Sequence, residues 1–185
     1  MKNTVVYTTG RLNPPTSGHA KLVRKVRDVA KKHNGDAIVY MTTSHDLKKN
    51  PLKFEQKVYF MKRMFRDVTF NTDKKLNNPF TILGDLLEKY EHVIFVVGGD
   101  RVQEFKNKME SHTAKNYPNN TFEVISAGER AALKVGNEDV SGSFMRKYAE
   151  KNDYETFSKG LPEEMSKADA KKLFTLVRTG MGLTK

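Results

Sequence analysis

Apolar residues along the chain alternate between a strand-like and a helix-like period. Thr4-Val5-Val6-Tyr7-Thr8 is β-branched and aromatic, which predicts a buried strand. Residues 10–15 cannot be regular, because Pro14 and Pro15 lack amide donors. Leu22, Val23, Val26, Val29 and Ala30 then share one stripe, predicting a helix over 17–32, and Asn34-Gly35 stops it. Residues 37–41 predict the second strand. Phe54, Val58, Met61 and Phe65 mark a helix over 54–66. A short strand follows at 68–70, then a helix carrying Leu83, Leu86, Leu87 and Tyr90. His92-Val93-Ile94-Phe95-Val96-Val97 is the clearest buried strand and runs into Gly98-Gly99-Asp100. A helix is expected from Val102 to about Ser111, a fifth strand over 121–126, and helices opening at Ser143, after Asp153 and over 166–178.

Strands alternating with helices at this spacing predict an α/β fold: a Rossmann-like, doubly wound, parallel five-stranded sheet with helices on both faces and a C-terminal helical extension. Residues 1–160 are expected to form that domain and residues 161–185 its extension. Ligands of such sheets sit outside the carboxyl ends of the strands, where the strand order reverses. Two strands here end in polar, glycine-bearing loops, residues 9–19 and 98–101. If their strands flank that reversal, the loops border one pocket.

Composition narrows the class. The 185 residues suit one domain, and 10% aromatics argue against disorder. Without cysteine there is no disulfide framework and no thiolate zinc site, and no apolar run approaches the ~20 residues of a membrane span. The first residues lead straight into a strand pattern with no secretion-type apolar region, so a cytoplasmic protein is expected. Lys and Arg number 33 against 22 Asp and Glu, a net charge of +11 that suits phosphate-bearing partners, nucleic acid included. Seven of the basic residues lie between His45 and Arg66 (Lys48, Lys49, Lys53, Lys57, Lys62, Arg63 and Arg66), and they read as a solvated helix face plus a loop. No interleaved aromatics suggest an RNA-stacking platform. The histidines show no ligand spacing, and no metal site made by protein groups alone is expected.

Three segments carry candidate chemistry. The loop Thr9-Gly10-Arg11-Leu12-Asn13-Pro14-Pro15-Thr16-Ser17-Gly18-His19 leads from a strand into a helix start, whose free amides and dipole suit an anion. Gly18 allows close backbone approach, and His19 can donate to a phosphoryl oxygen. In Val140-Ser141-Gly142-Ser143-Phe144-Met145-Arg146 the two serines can cap a helix, and Arg146 lies one turn in on the side of Ser143. Gly98 and Asp100 end the clearest strand, where Asp100 either binds ribose hydroxyls or a substrate amine or caps the following helix.

These segments resemble the nucleotidyltransferase superfamily, whose signatures are His-x-Gly-His after the first strand and Ile-Ser-x-Ser/Thr-x-x-Arg near the end of the sheet. Thr16-Ser17-Gly18-His19 matches the first at its second histidine, with threonine in place of the first; residues 140–146 match the second. The preceding Gly-Arg-x-x-Pro is similar to adenylyl- and cytidylyltransferase-like members, nicotinamide-mononucleotide adenylyltransferases among them. The loop Ser44-His45-Asp46-Leu47-Lys48-Lys49-Asn50-Pro51-Leu52, residues 99–105 and the tail 173–183 look most like phage-encoded members. Met165-Ser166-Lys167 is only superficially similar to a synthetase signature loop and reads as an ordinary helix cap.

The resemblance implies transfer of AMP or CMP from ATP or CTP to a phosphorylated small-molecule acceptor, releasing pyrophosphate, with no covalent enzyme intermediate. It gives catalytic parts to His19, Arg146 and Lys48 or Lys49. It gives nucleotide contacts to Thr9, Gly10, Arg11, Asn13, Thr16, Gly18, Gly98, Asp100, Ser141 and Ser143, and it implies Mg²⁺ carried on the phosphates. A hydroxyl at position 16 cannot supply the charge of an imidazolium. A catalytically silent nucleotide- or nucleic-acid-binding module, or a phage structural component on the same fold, is the alternative. The oligomeric state is left open, and a phage-encoded chain would work in the host cytoplasm.

Overall fold

The computed structural model describes residues 3–128 and 133–183. Its elements in chain order are β1 (Thr4–Gly10), α1 (Ser17–Lys32), β2 (Asp36–Met41), α2 (Phe54–Met64), β3 (Thr69–Phe70), α3 (Pro79–Lys89), β4 (His92–Val97), a 3-10 turn (Gly99–Arg101), α4 (Val102–Asn116), β5 (Thr121–Ser126), β6 (Lys134–Val135), β7 (Glu138–Asp139), α5 (Gly142–Glu150), α6 (Tyr154–Lys159) and α7 (Lys167–Gly180). Strands β1 to β5 form a parallel sheet in the order β3-β2-β1-β4-β5, so the strand order reverses between β1 and β4. This is the expected Rossmann-like fold. Among the described residues no helix is long and apolar enough to cross a membrane.

The chain divides into two compact units. The first takes residues 1–9, 21–40 and 67–130; the second takes 10–20, 41–66 and 131–185. In the first, the two-residue period of the strands sorts side chains to opposite faces. Val5 and Tyr7 of β1 join Val93, Phe95 and Val97 of β4 under Leu83, Leu86 and Leu87 of α3 and Met109 of α4. Val6, Ile94 and Val96 point the other way, onto Val26 and Ala30 of α1. Tyr7 stacks on Phe95 with ring centroids 4.5 Å apart. The second unit has a helical core: Leu52, Phe60 of α2, Phe144, Met145 and Ala149 of α5, Phe157 of α6, and Leu173, Phe174 and Val177 of α7.

Several sequence expectations shift. Helix α4 runs to Asn116 rather than Ser111; of its residues only Met109 and Thr113 are buried, so the apolar stripe is too thin to mark its end. The hairpin β6–β7 was not expected, although Gly136-Asn137 between its strands is a two-residue turn signal, with Gly136 at φ 60°. Asn34, at φ 50°, takes the left-handed position after α1. Lys57 corrects the solvated-face reading of the basic run, because it is wholly buried. The run alone conceals this, since α2 turns Phe54, Lys57, Phe60 and Met61 inward at helical spacing.

Candidate functional site

The second unit gathers most of the candidate residues. Its first component is the loop from Gly10 into α1. Leu12 sits at φ 51° while its side chain is buried, a left-handed conformation that costs a branched residue about 1–2 kcal/mol. The Asn13–Pro14 bond is cis. Asn13 is 2% exposed; its amide Nδ2 donates to the Leu52 carbonyl at 3.0 Å and its Oδ1 accepts from the Leu52 amide at 2.8 Å. That side chain splices the loop to residues 44–52, and the Asn13 carbonyl is left to face Arg146.

Thr16 and His19 form a reciprocal pair at the start of α1. Thr16 Oγ1 accepts from the His19 amide at 3.4 Å, and His19 Nδ1 accepts from the Thr16 amide at 3.0 Å. This is the geometry of a capping box with an imidazole in the usual place of Glu. An Nδ1 that accepts is unprotonated, so the neutral ring carries its proton on Nε2, the nitrogen a phosphoryl oxygen would use. Of the first-turn amides, that of Ser17 is taken by the Gly160 carbonyl at 2.9 Å, and that of Gly18 has no acceptor among the described residues.

The second component is the start of α5. Ser141 is the cap, its Oγ accepting from the Phe144 amide at 3.1 Å. Ser143 is one position inside the helix, and its Oγ accepts from Arg146 Nη2 at 3.3 Å. Arg146 Nη1 donates to the Asn13 carbonyl at 3.0 Å. One guanidinium thus joins two motifs 133 residues apart in sequence. Burial, and then the nearby charge of Arg11, push Arg146 below its ordinary pKa, while Asp46 acts in the opposite direction. Two guanidinium charges that disfavour one another in this way favour an anionic guest. Gly142, which the sequence reading passed over, makes room for the arrangement: a Cβ there would lie 2.7 Å from Arg146 Nη1.

The third component is the loop carrying Lys48 and Lys49. Asp46 Oδ1 accepts from the amides of Lys48 (3.0 Å), Lys49 (2.7 Å) and Asn50 (3.2 Å), and Oδ2 accepts from Asn50 Nδ2 (2.8 Å). The Asn50 side chain first, and then these amides, hold the Asp46 carboxyl down to about 2. Both lysines are exposed on this clasped turn. Asp46 is a second residue that the sequence reading passed over; an Asp followed by a Lys-Lys-Asn-Pro turn is the signal that was available.

Three candidates, Gly98, Asp100 and Thr9, belong to the first unit. Gly98 precedes the 3-10 turn that contains Asp100, and the Gly99 amide donates to the Gly128 carbonyl at 3.3 Å. Helix α4 has Arg101 at its cap position with no side-chain cap bond, so Asp100 does not cap it. Thr9 is half-buried at the end of β1. Among the described residues no group of three or more His, Cys, Asp or Glu is placed to hold a metal ion.

Solved structures share the fold, and two of them illustrate it. One, provisionally described as a nicotinate-nucleotide adenylyltransferase from Vibrio parahaemolyticus, is 14% identical with a TM-score of 0.59, over 95% of this chain and 99% of that one. Thermotoga maritima TmcAL, solved with alpha-thio ATP bound, is 12% identical with a TM-score of 0.53, over 98% of this chain and 56% of that one. At such identities the likeness is one of fold. No curated protein matches the sequence. A family model described as cytidylyltransferase-like matches residues 7–158. That stretch holds the sheet from midway along β1, the Asp46 clasp and both of the motifs that Arg146 ties together, and the chain belongs to the cytidylyltransferase-like family.

Proposed function

We propose that the protein is a nucleotidyltransferase that moves AMP or CMP from ATP or CTP onto a phosphorylated small-molecule acceptor. The observation that carries this reading is Arg146, whose guanidinium binds both the Asn13 carbonyl and Ser143 and so joins the loop before α1 to the start of α5. The triphosphate lies against those two helix starts, where amide dipoles and the cations of Arg11 and Arg146 favour it. An acceptor phosphate oxygen attacks the α-phosphorus; the bond to the α,β-bridging oxygen breaks, and its electron pair leaves with pyrophosphate. The acceptor oxygen is already anionic, so no base is required. Catalysis is positioning plus charge stabilisation.

His19, held with Nε2 as donor, meets the charge that develops as the bond breaks. Arg146, Ser143 and Lys48 or Lys49 hold the leaving β- and γ-phosphates. Asn13 acts through its splice to Leu52 and its carbonyl bond to Arg146 rather than by side-chain contact. Mg²⁺ would come with the phosphates of the bound nucleotide rather than on a dedicated protein cage, and would supply charge neutralisation there. Thr16 favours one other reading. Its hydroxyl is engaged at the helix cap, leaving a single imidazole, as would suit a module that binds NTP without turnover.

Crystals grown with a non-hydrolysable ATP or CTP analogue test the placement. Phosphates within hydrogen-bond reach of Gly18, His19, Ser143 and Arg146 are expected. Phosphates remote from both helix starts would overturn the proposal.

A further inference from the structure

The chemistry above leaves a wholly buried ammonium unused. Lys57 is the only Lys or Arg that is buried among the described residues, at 0% exposure. A buried ammonium is costly unless it is well bonded. Its Nζ donates to the Arg11 carbonyl at 2.8 Å and to the Thr42 carbonyl at 2.6 Å. No carboxylate among the described residues pairs with it. Arg11 belongs to the phosphate loop, and Thr42 begins the segment that leads from β2 to the Asp46 clasp; the Thr42 amide also donates to the Gly10 carbonyl at 3.1 Å. Lys57 therefore stands where both loops leave their strands. Thr42 Oγ1 is buried there with no partner among the described residues.

Peptide planarity gives this bonding a consequence. In a trans peptide the N–H points opposite to the C=O of the same unit. The peptides after Arg11 and Thr42 are trans, so turning those carbonyls onto Lys57 turns the amides of Leu12 and Thr43 away from it. Two donors are thereby aimed by one ammonium. Desolvation first, and then the Arg11 charge, bring Lys57 down to about 8. Arg11 likewise lowers Arg146. Cations that destabilise one another are stabilised by an incoming polyanion.

We propose that Lys57 is a positioning residue for the triphosphate: its buried ammonium gathers the Arg11 and Thr42 carbonyls, aims the Leu12 and Thr43 amides as phosphate donors, and adds fixed positive charge to the site. This rests on the triphosphate reading given above, which has its own control in the test. Inorganic tripolyphosphate is titrated calorimetrically into wild type, Lys57→Met and Lys57→Arg, with thermal melts alongside. Wild type should bind, Lys57→Met should bind about tenfold or more weakly, and Lys57→Arg should recover much of the loss. In wild type, the Lys57 Nζ resonance, followed by NMR against pH, should titrate near 8 alone and higher with tripolyphosphate. If wild type binds no tripolyphosphate, the triphosphate reading itself fails. If Lys57→Met binds as wild type does and the Nζ titration is unmoved by tripolyphosphate, the positioning role is overturned. Should Lys57→Met not fold, the wild-type Nζ titration decides alone.

Discussion

A methyl group at position 142 is enough to move the Arg146 guanidinium, because a Cβ there would lie 2.7 Å from Nη1. The atom displaced is the far end of a flexible side chain. Gly142→Ala should therefore leave the melting temperature nearly unchanged and lower kcat/KM by about tenfold, short of the ~10²–10³ expected for losing one oxyanion donor outright. Steady-state kinetics beside a melt check both halves; a large fall in melting temperature with intact activity would be the wrong pattern. Thr16 makes a complementary case. Thr16→Ala loses the cap hydroxyl, costing about 1 kcal/mol, while Thr16→Ser keeps most of it. The Thr16 amide persists in both variants, so NMR of the His19 ring should still show the Nε2-protonated tautomer. His19 and Arg146 stood out in the sequence because both helix starts have recognisable caps. Gly142 did not: it is the i−4 neighbour of Arg146 on α5, but that spacing alone does not show that the guanidinium folds back over residue 142 to reach the Asn13 carbonyl.

The 44–52 turn has two external supports besides the Asp46 clasp. One is Asn13. The other is α7, whose Gly180 lies so close to Pro51 that a Cβ would land on the Pro51 carbonyl oxygen. Here the obstacle is backbone, which cannot step aside as Arg146 can. Gly180→Ala should cost about 1–3 kcal/mol by denaturant melt and weaken NTP affinity through the displaced lysine turn. Asp46→Ala should weaken NTP affinity with little change in stability, since the clasp is exposed; equal affinities would show that neither lysine needs it. The clasp also has a stated pH window. The Asp46 carboxyl is lowered from its ordinary value to about 2, so its contribution is complete above the ordinary value and is lost as pH falls through about 2. Strands and long helices were legible from their periods. The hairpin β6–β7 was not, because strands of two residues show no alternation and only the Gly136-Asn137 turn betrays them.

At the scale of the molecule, the parallel sheet was legible from strands alternating with helices, while crossover handedness only narrowed the strand order that the fold then shows, β3-β2-β1-β4-β5. The placement of charge was not. The second unit carries 18 Lys and Arg against 10 Asp and Glu, a net +8, and the first carries 15 against 12, a net +3. The unit with both helix starts is thus the more basic, and nucleotide affinity should fall with added salt. Lys57 adds a stability signature. Its folded pKa of about 8 lies below the ordinary value of 10.5, so between these values the unfolded chain binds more protons, and stability rises with pH. Relative to Lys57→Met, wild type should gain on the order of 3 kcal/mol between about pH 8 and 10.5, measured by parallel denaturant melts.

Turnover is the central claim, and pyrophosphate release tests it most directly. Wild type and Arg146→Ala are assayed with each of four NTPs against a panel of phosphorylated acceptors, with and without Mg²⁺. The account predicts Mg²⁺-dependent release by wild type with ATP or CTP and one acceptor, and loss of that release in Arg146→Ala. Tight NTP binding with no release across the whole panel would contradict it and leave a silent nucleotide-binding module on the same fold.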